Sequence, residues 1–303
     1  LSFREQQRAT LGSWPFFHVP GNHDLDPVEG GLAKWRRTLG SSGNSSTHAE
    51  LPPSNTELGY RAVRVAPGWR LLLLDSMDGV DHDKDGHGHI GEAQLAWLAL
   101  QLEQSAAASE QVILVMHQLL VAPVDGSAQE EDEGEQEDRS YQHYESYQGY
   151  GSEQGGVYVR STRPRRPRVQ EGAGAQEDEG DQEEEDGALP GWLGWRGDFI
   201  DNRLEVLALL ARHSHVRLSF HGHVHANTLT TRHGVAFVTS AAASEYPMQW
   251  REVSVRPCEL QIHARSIDAP ALREKSRLRD TRAGRNEIKV GTPRANAVSI
   301  RTC

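Results

Sequence analysis

Val216-Arg217-Leu218-Ser219-Phe220-His221-Gly222-His223-Val224-His225 is the stretch on which the reading of this chain turns. Val216, Leu218 and Phe220 alternate with other residues, as in a short strand with one face buried. Gly222 then lets the backbone come close to its surroundings, and two imidazoles follow. If the turn is extended, alternate residues project the same way, so His223 and His225 face one cavity. The same grammar occurs twice earlier in the chain. Pro15 to Val19 reads as a strand leading into Pro20-Gly21-Asn22-His23-Asp24, and Gln111 to Met116 reads as a buried strand ending on His117. Polar groups gathered just beyond strand ends are placed where open α/β sheets bind ligands.

Around these points the sequence alternates strand and helix signals. Arg61 to Val65 and Arg70 to Asp75 read as strands. Leu95, Leu98 and Leu102 put one apolar face on a helix over Gly91 to Gln104. Leu204, Leu207 and Leu210 do the same for a helix ending near His213. Val235 to Thr239, Glu252 to Val255 and Leu260 to His263 read as closing strands. This pattern predicts an α/β layered domain with helices outside two packed sheets.

The net charge of −11 is unevenly held. Residues 125–189 contain 19 of the 43 acidic residues and 6 of the 32 basic ones, net −13, which leaves the remainder at +2. That segment also carries Tyr141, Tyr144, Tyr147 and Tyr150 and an Arg/Pro patch from Arg163 to Arg168. Such composition buries too little apolar surface to offset ordering entropy. The boundaries expected are therefore 1–123 and 191–268 for the two parts of the folded domain. Between them lies an acidic, low-complexity, disordered insertion at 124–190, and a basic tail at 269–303 follows. The charge argues against general nucleic-acid binding. No apolar run reaches the ~18 residues of a membrane span. With only Cys258 and Cys303 there is no disulfide framework, which fits a reducing, cytoplasmic setting.

His23, His117, His223 and His225 together with Asn22 form a donor set of imidazoles and an amide carbonyl suited to iron, manganese or zinc. Two such metals shield phosphate oxygens and lower the pKa of water towards ~7, while a histidine titrating near neutrality protonates a leaving group. Gly21-Asn22-His23-Asp24, the lone His117 and Gly222-His223-Val224-His225 stand in the order of the last three signatures of the calcineurin-like metallophosphoesterases. Over roughly 15–265, apart from the insertion, the chain resembles that superfamily. Leu74-Asp75-Ser76 and Gly91-Glu92-Ala93-Gln94-Leu95-Ala96-Trp97-Leu98 make it most similar to the class III cyclic-nucleotide phosphodiesterase branch, although that branch often has a second histidine where Gln118 stands.

The resemblance implies a four-layer α/β/β/α sandwich, here missing its first strand or strands. It also implies two divalent or mixed-valence metal ions. Asn22, His117 and His223 would ligate the second metal and His225 the first. A hydroxide shared between the metals would attack phosphorus, and His23, oriented by Asp24, would protonate the leaving group. A small-molecule phosphoester such as a cyclic nucleotide is the implied substrate. A purple-acid-type phosphomonoesterase or a nuclease on the same scaffold is the alternative, and a catalytically degenerate interaction module is the rival of another class. The family's earlier Asp-x-His and bridging carboxylate do not occur before Gly21. The expectation is therefore an N-terminally truncated phosphoric ester hydrolase whose parent is active and whose residues 1–303 alone are not. Separately, Asp81, Asp83, Asp85 and Glu92 match a calcium-loop pattern, for which a solvated polar loop is the plainer reading.

Overall fold

The structure is a computed structural model that describes residues 6, 9–10, 17–25, 49–50, 59–78, 88–123, 198–279 and 285–303. They belong to one compact unit drawn from Leu1–Gln129 and Gly187–Cys303. The insertion expected at 124–190 and the calcium-loop residues Asp81, Asp83 and Asp85 lie outside the described residues. Glu92 is described, as the exposed first residue of a helix.

The strands are β1 (Ala49–Glu50), β2 (Arg61–Ala66), β3 (Trp69–Leu73), β4 (Gln111–Val115), β5 (Val216–His221), β6 (Thr228–Arg232), β7 (Val235–Thr239), β8 (Gln249–Arg256), β9 (Glu259–Ser266) and β10 (Ala297–Arg301). The helices are α1 (Glu92–Ala107), α2 (Arg203–Ala211), α3 (Pro270–Arg279), α4 (Arg285–Val290) and α5 (Pro293–Asn296). A seven-stranded sheet runs in the order β1-β2-β3-β4-β5-β7-β6. Its centre, from β3 to β7, is parallel, and antiparallel pairings close both edges. A second sheet of three antiparallel strands has the order β10-β9-β8.

The two faces of the large sheet build two cores. Leu72, Leu74, Val112, Leu114 and Phe237 pack under Leu98 and Leu102 of α1 and Val206 and Leu210 of α2. On the opposite face Trp69, Ile113, Leu218 and Val238 meet Leu260, Ile262 and Val298 of the second sheet. The period-2 alternation of side chains produces this division. A β-bulge at Arg217 shifts the pairing of β4 with β5, so Val216 joins the helix side and Leu218 the sheet side. The result is an α/β sandwich of two sheets with helices outside, the class expected from sequence.

Several particulars differ. Residues 17–20 carry no strand, because no described edge pairs with them. Leu204 is 48% exposed, since the buried side of α2 is Val206, Leu207, Leu209 and Leu210. The segment 269–303, expected as a tail of uncertain order, contributes α3, α4, α5 and β10, and Val298 is buried in the core between the sheets. Cys258 and Cys303 are bonded to each other, which ties the β8–β9 turn to the C-terminal residue. Among the described residues no helix is long and apolar enough to cross a membrane.

Candidate metal centre

The parallel strands β4 and β5 end side by side, and their extensions carry the histidines. Met116 N–H donates to Phe220 O at 3.0 Å and Gly222 N–H to His117 O at 2.9 Å, so sheet pairing continues up to the two histidine-bearing turns. Opposite them a 3-10 turn, Asn22–Leu25, presents Asn22. Gly21 makes this approach possible: a Cβ there would lie 2.9 Å from the His117 ring.

Two donor atoms lie within reach of a third. His117 Nε2 lies 2.9 Å from Asn22 Oδ1 and 3.1 Å from His223 Nδ1. The His117 and His223 rings meet edge to face at 5.1 Å between centroids. A single ring nitrogen carries one hydrogen or one lone pair, so it cannot serve both neighbours well as a hydrogen bond. A cation held by these residues would serve, since each of the three atoms could present a lone pair to it. The residues present therefore fit one divalent ion. Burial, with His223, His225, His23 and His221 nearby, pushes His117 down to about 3, so its ring is neutral at pH 7, as ligation requires.

The turn after β5 is not extended. His223 and His225 have φ of 62° and 55°, the left-handed region that non-glycine residues seldom adopt. The two rings consequently take different neighbours. His223 directs Nδ1 at His117 while its Nε2 lies 3.5 Å from Asp198 Oδ1. His225 Nδ1 is 2.7 Å from Glu245 Oε1, and Lys289 Nζ donates to that same oxygen at 2.9 Å. Asp198 and Glu245 are the residues the sequence reading missed. Each stands alone in a loop far from the histidine motifs, with no spacing to mark it, although metal-binding histidines commonly hold a carboxylate on the nitrogen facing away from the metal.

His23 is exposed beside Asn22. The expected orientation of His23 by Asp24 is not made: Asp24 Oδ2 accepts the Gly21 N–H at 2.9 Å and closes its own turn. His221, beside the motif, is structural. It is buried, with Nδ1 2.7 Å from Gln118 O and Nε2 2.9 Å from Ser219 Oγ. The Gln118 side chain is fully buried away from the donors, where it accepts from Ser76 Oγ and donates to Met77 Sδ. Asp75 and Gln94 pair through the Asp75 backbone, so the Leu74-Asp75-Ser76 and Gly91–Leu98 features meet each other in the scaffold. Among the described residues no group of three or more His, Cys, Asp or Glu side chains is arranged as a metal cluster; the convergent set depends on the Asn22 amide.

No family model and no curated protein matches this chain. Among solved structures, the crystal structure of a dimetal phosphatase from Danio rerio is similar, with a TM-score of 0.51 and 14% sequence identity over 95% of this chain and 72% of that one. At that identity the likeness is one of fold alone: the chain shares the α/β sandwich architecture of that structure, in agreement with the two packed sheets and outer helices described above.

Proposed function

We propose that the site belongs to a metal-dependent phosphoester hydrolase, with a small-molecule phosphodiester such as a cyclic nucleotide as its substrate class. The observation that carries this reading is the convergence of Asn22 Oδ1, His117 Nε2 and His223 Nδ1. These residues hold one divalent ion, with Fe, Mn and Zn all compatible with nitrogen and oxygen donors. When bound, the ion supplies Lewis acidity that draws charge from phosphate oxygens and acidifies water. His225, with Nδ1 on Glu245, would offer Nε2 to a second ion, the role that the resemblance implies for it. His23, exposed at the rim, donates a proton to the leaving-group oxygen. Asp24 holds the turn that presents Asn22 and His23. The choice of a diester over a monoester rests on the sequence likeness alone, because the features that carry it lie in the scaffold.

For the second ion the resemblance assigns His225, and among the described residues no group of three or more His, Cys, Asp or Glu side chains is arranged as a metal cluster. Our expectation is that residues 1–303 bind one ion and phosphate with no measurable turnover of an aryl phosphodiester. A second reading is a metal-holding interaction module with no phosphoester chemistry, in keeping with a convergent set that depends on the Asn22 amide. Phosphorus-31 NMR of inorganic phosphate separates them. With manganese(II) and the wild-type chain, the phosphate resonance broadens, and His117→Ala abolishes the effect. A manganese-loaded chain that leaves the resonance unchanged would sink the phosphoester reading and support the module. Manganese-dependent turnover would instead refute the single-ion account.

A further inference from the structure

We propose that Lys289 is a positioning residue for this centre, acting through Glu245 to decide which ring nitrogen His225 turns towards the metal. The proposal rests on the functional reading above and extends the site to the C-terminal segment.

Among the lysines and arginines of 271–303 whose burial is described, Lys289 is the buried one, at 3% exposure. Burying an amine is costly unless it is paired. Its carboxylate partner, Glu245, is half-exposed, so the pair is not explained by a need to hide the carboxylate. Oε1 of Glu245 takes both contacts, from Lys289 Nζ at 2.9 Å and from His225 Nδ1 at 2.7 Å. An acceptor anchored on one side by a lysine is a fixed acceptor for the imidazole on the other. A histidine whose Nδ1–H is held this way has Nε2 left as its lone-pair nitrogen, the one able to ligate.

The backbone places Lys289 for this contact. Asn227, two residues beyond His225, donates its N–H to Lys289 O at 3.1 Å and its side-chain amide to Val290 O at 3.3 Å. Gly291 follows at φ 72°, and a Cβ there would lie 2.1 Å from Asn227 O, so only glycine lets α4 close on this loop. The end of α4 is thus stitched to the loop bearing His225, and Lys289 reaches from that anchor to Glu245 on the next loop. Neither contact follows from sequence proximity, since Lys289 and Glu245 are 44 residues apart.

The test uses the full chain and two readouts, one of which needs no metal. Long-range proton–nitrogen-15 correlation on the metal-free protein reads the tautomer of His225. The wild type is expected to show Nδ1–H, and Lys289→Met to move towards the Nε2–H form. Because His225 is not part of the Asn22–His117–His223 focus, calorimetric titration with manganese(II) is expected to give unchanged affinity at that focus in Lys289→Met, and Lys289→Arg is expected to restore the wild-type tautomer. An unchanged His225 tautomer in Lys289→Met would overturn the proposal. If Lys289→Met fails to fold, Glu245→Gln, at a half-exposed position, takes its place, and retention of the wild-type tautomer there would equally overturn it. A wild-type chain that binds no manganese refutes the metal reading, while the tautomer shift still decides the role of Lys289.

Discussion

At the scale of single residues, the centre depends on atoms that have no room to move. Gly21 is the clearest case, because its missing side chain is the space that the His117 ring occupies. Gly21→Ala is expected to push that ring off the Asn22–His223 focus and to lower stability by about 1–3 kcal/mol through overpacking. Thermal unfolding checks the second effect and manganese affinity the first; a variant as tight and as stable as wild type would show that the close approach is dispensable. Residue identities here were legible in the sequence, because Gly, Asn and His after an apolar run have few structural uses together. Ring orientation was not. It depends on the left-handed φ of His223 and His225 and on Asp198 and Glu245, which only folding brings near.

At the scale of elements, a polar clamp holds the N-terminal end of β4 to its neighbours. Glu110, just before β4, accepts from Arg64 Nε of β2 at 2.7 Å and from Arg70 Nε of β3 at 2.8 Å. Arg70 Nη1 also donates to Gln101 of α1 at 2.9 Å. Arg70 is 3% exposed, so removing the carboxylate charge leaves a buried guanidinium without this counter-charge, at a cost of roughly 3 kcal/mol. Glu110→Gln should lose about that much in denaturant unfolding at pH 7, and a loss within error would mean that the clamp is redundant. Burial pushes the Glu110 carboxyl up, but the hydrogen bonds and charges of Arg64 and Arg70 outweigh it and hold it below its usual value. A carboxyl lowered on folding stabilises the protein above its unfolded pKa, and that contribution disappears as pH falls through the folded one. The gap between wild type and Glu110→Gln should therefore narrow on acidification below the ordinary carboxylate range; a gap that widens would reverse the assignment.

The strands of the large sheet's core were legible as continuous apolar runs, because parallel strands are covered on both faces. β6 was not, since Thr228–Arg232 is mostly polar and lies at a sheet edge. The helical repeat at Leu204, Leu207 and Leu210 marked α2 correctly, but periodicity does not say which side of a helix meets the sheet.

For the whole molecule, the large sheet is shared by two cores, one beneath α1 and α2 and one against β8–β10. Sharing a layer couples them. Leu98→Ala and Leu260→Ala, both at fully buried positions, should each cost about 2–5 kcal/mol and shift one common unfolding transition. A separate, earlier melting of the second sheet in Leu260→Ala would show that the two cores are independent. The C-terminal strand β10 was hidden from the sequence reading by its basic surroundings, although Val298 and Ile300 alternate as a half-buried strand requires. That same segment carries Lys289, which contacts Glu245 beside His225.

The central claim is that Asn22, His117 and His223 form one metal-binding focus. Calorimetric titration of manganese(II) into wild-type, His117→Ala and Asn22→Ala chains tests it most directly. The account predicts one tightly bound ion in the wild type, loss of that binding in His117→Ala and marked weakening in Asn22→Ala. Absence of binding in the wild type, or equal binding in all three chains, would contradict it.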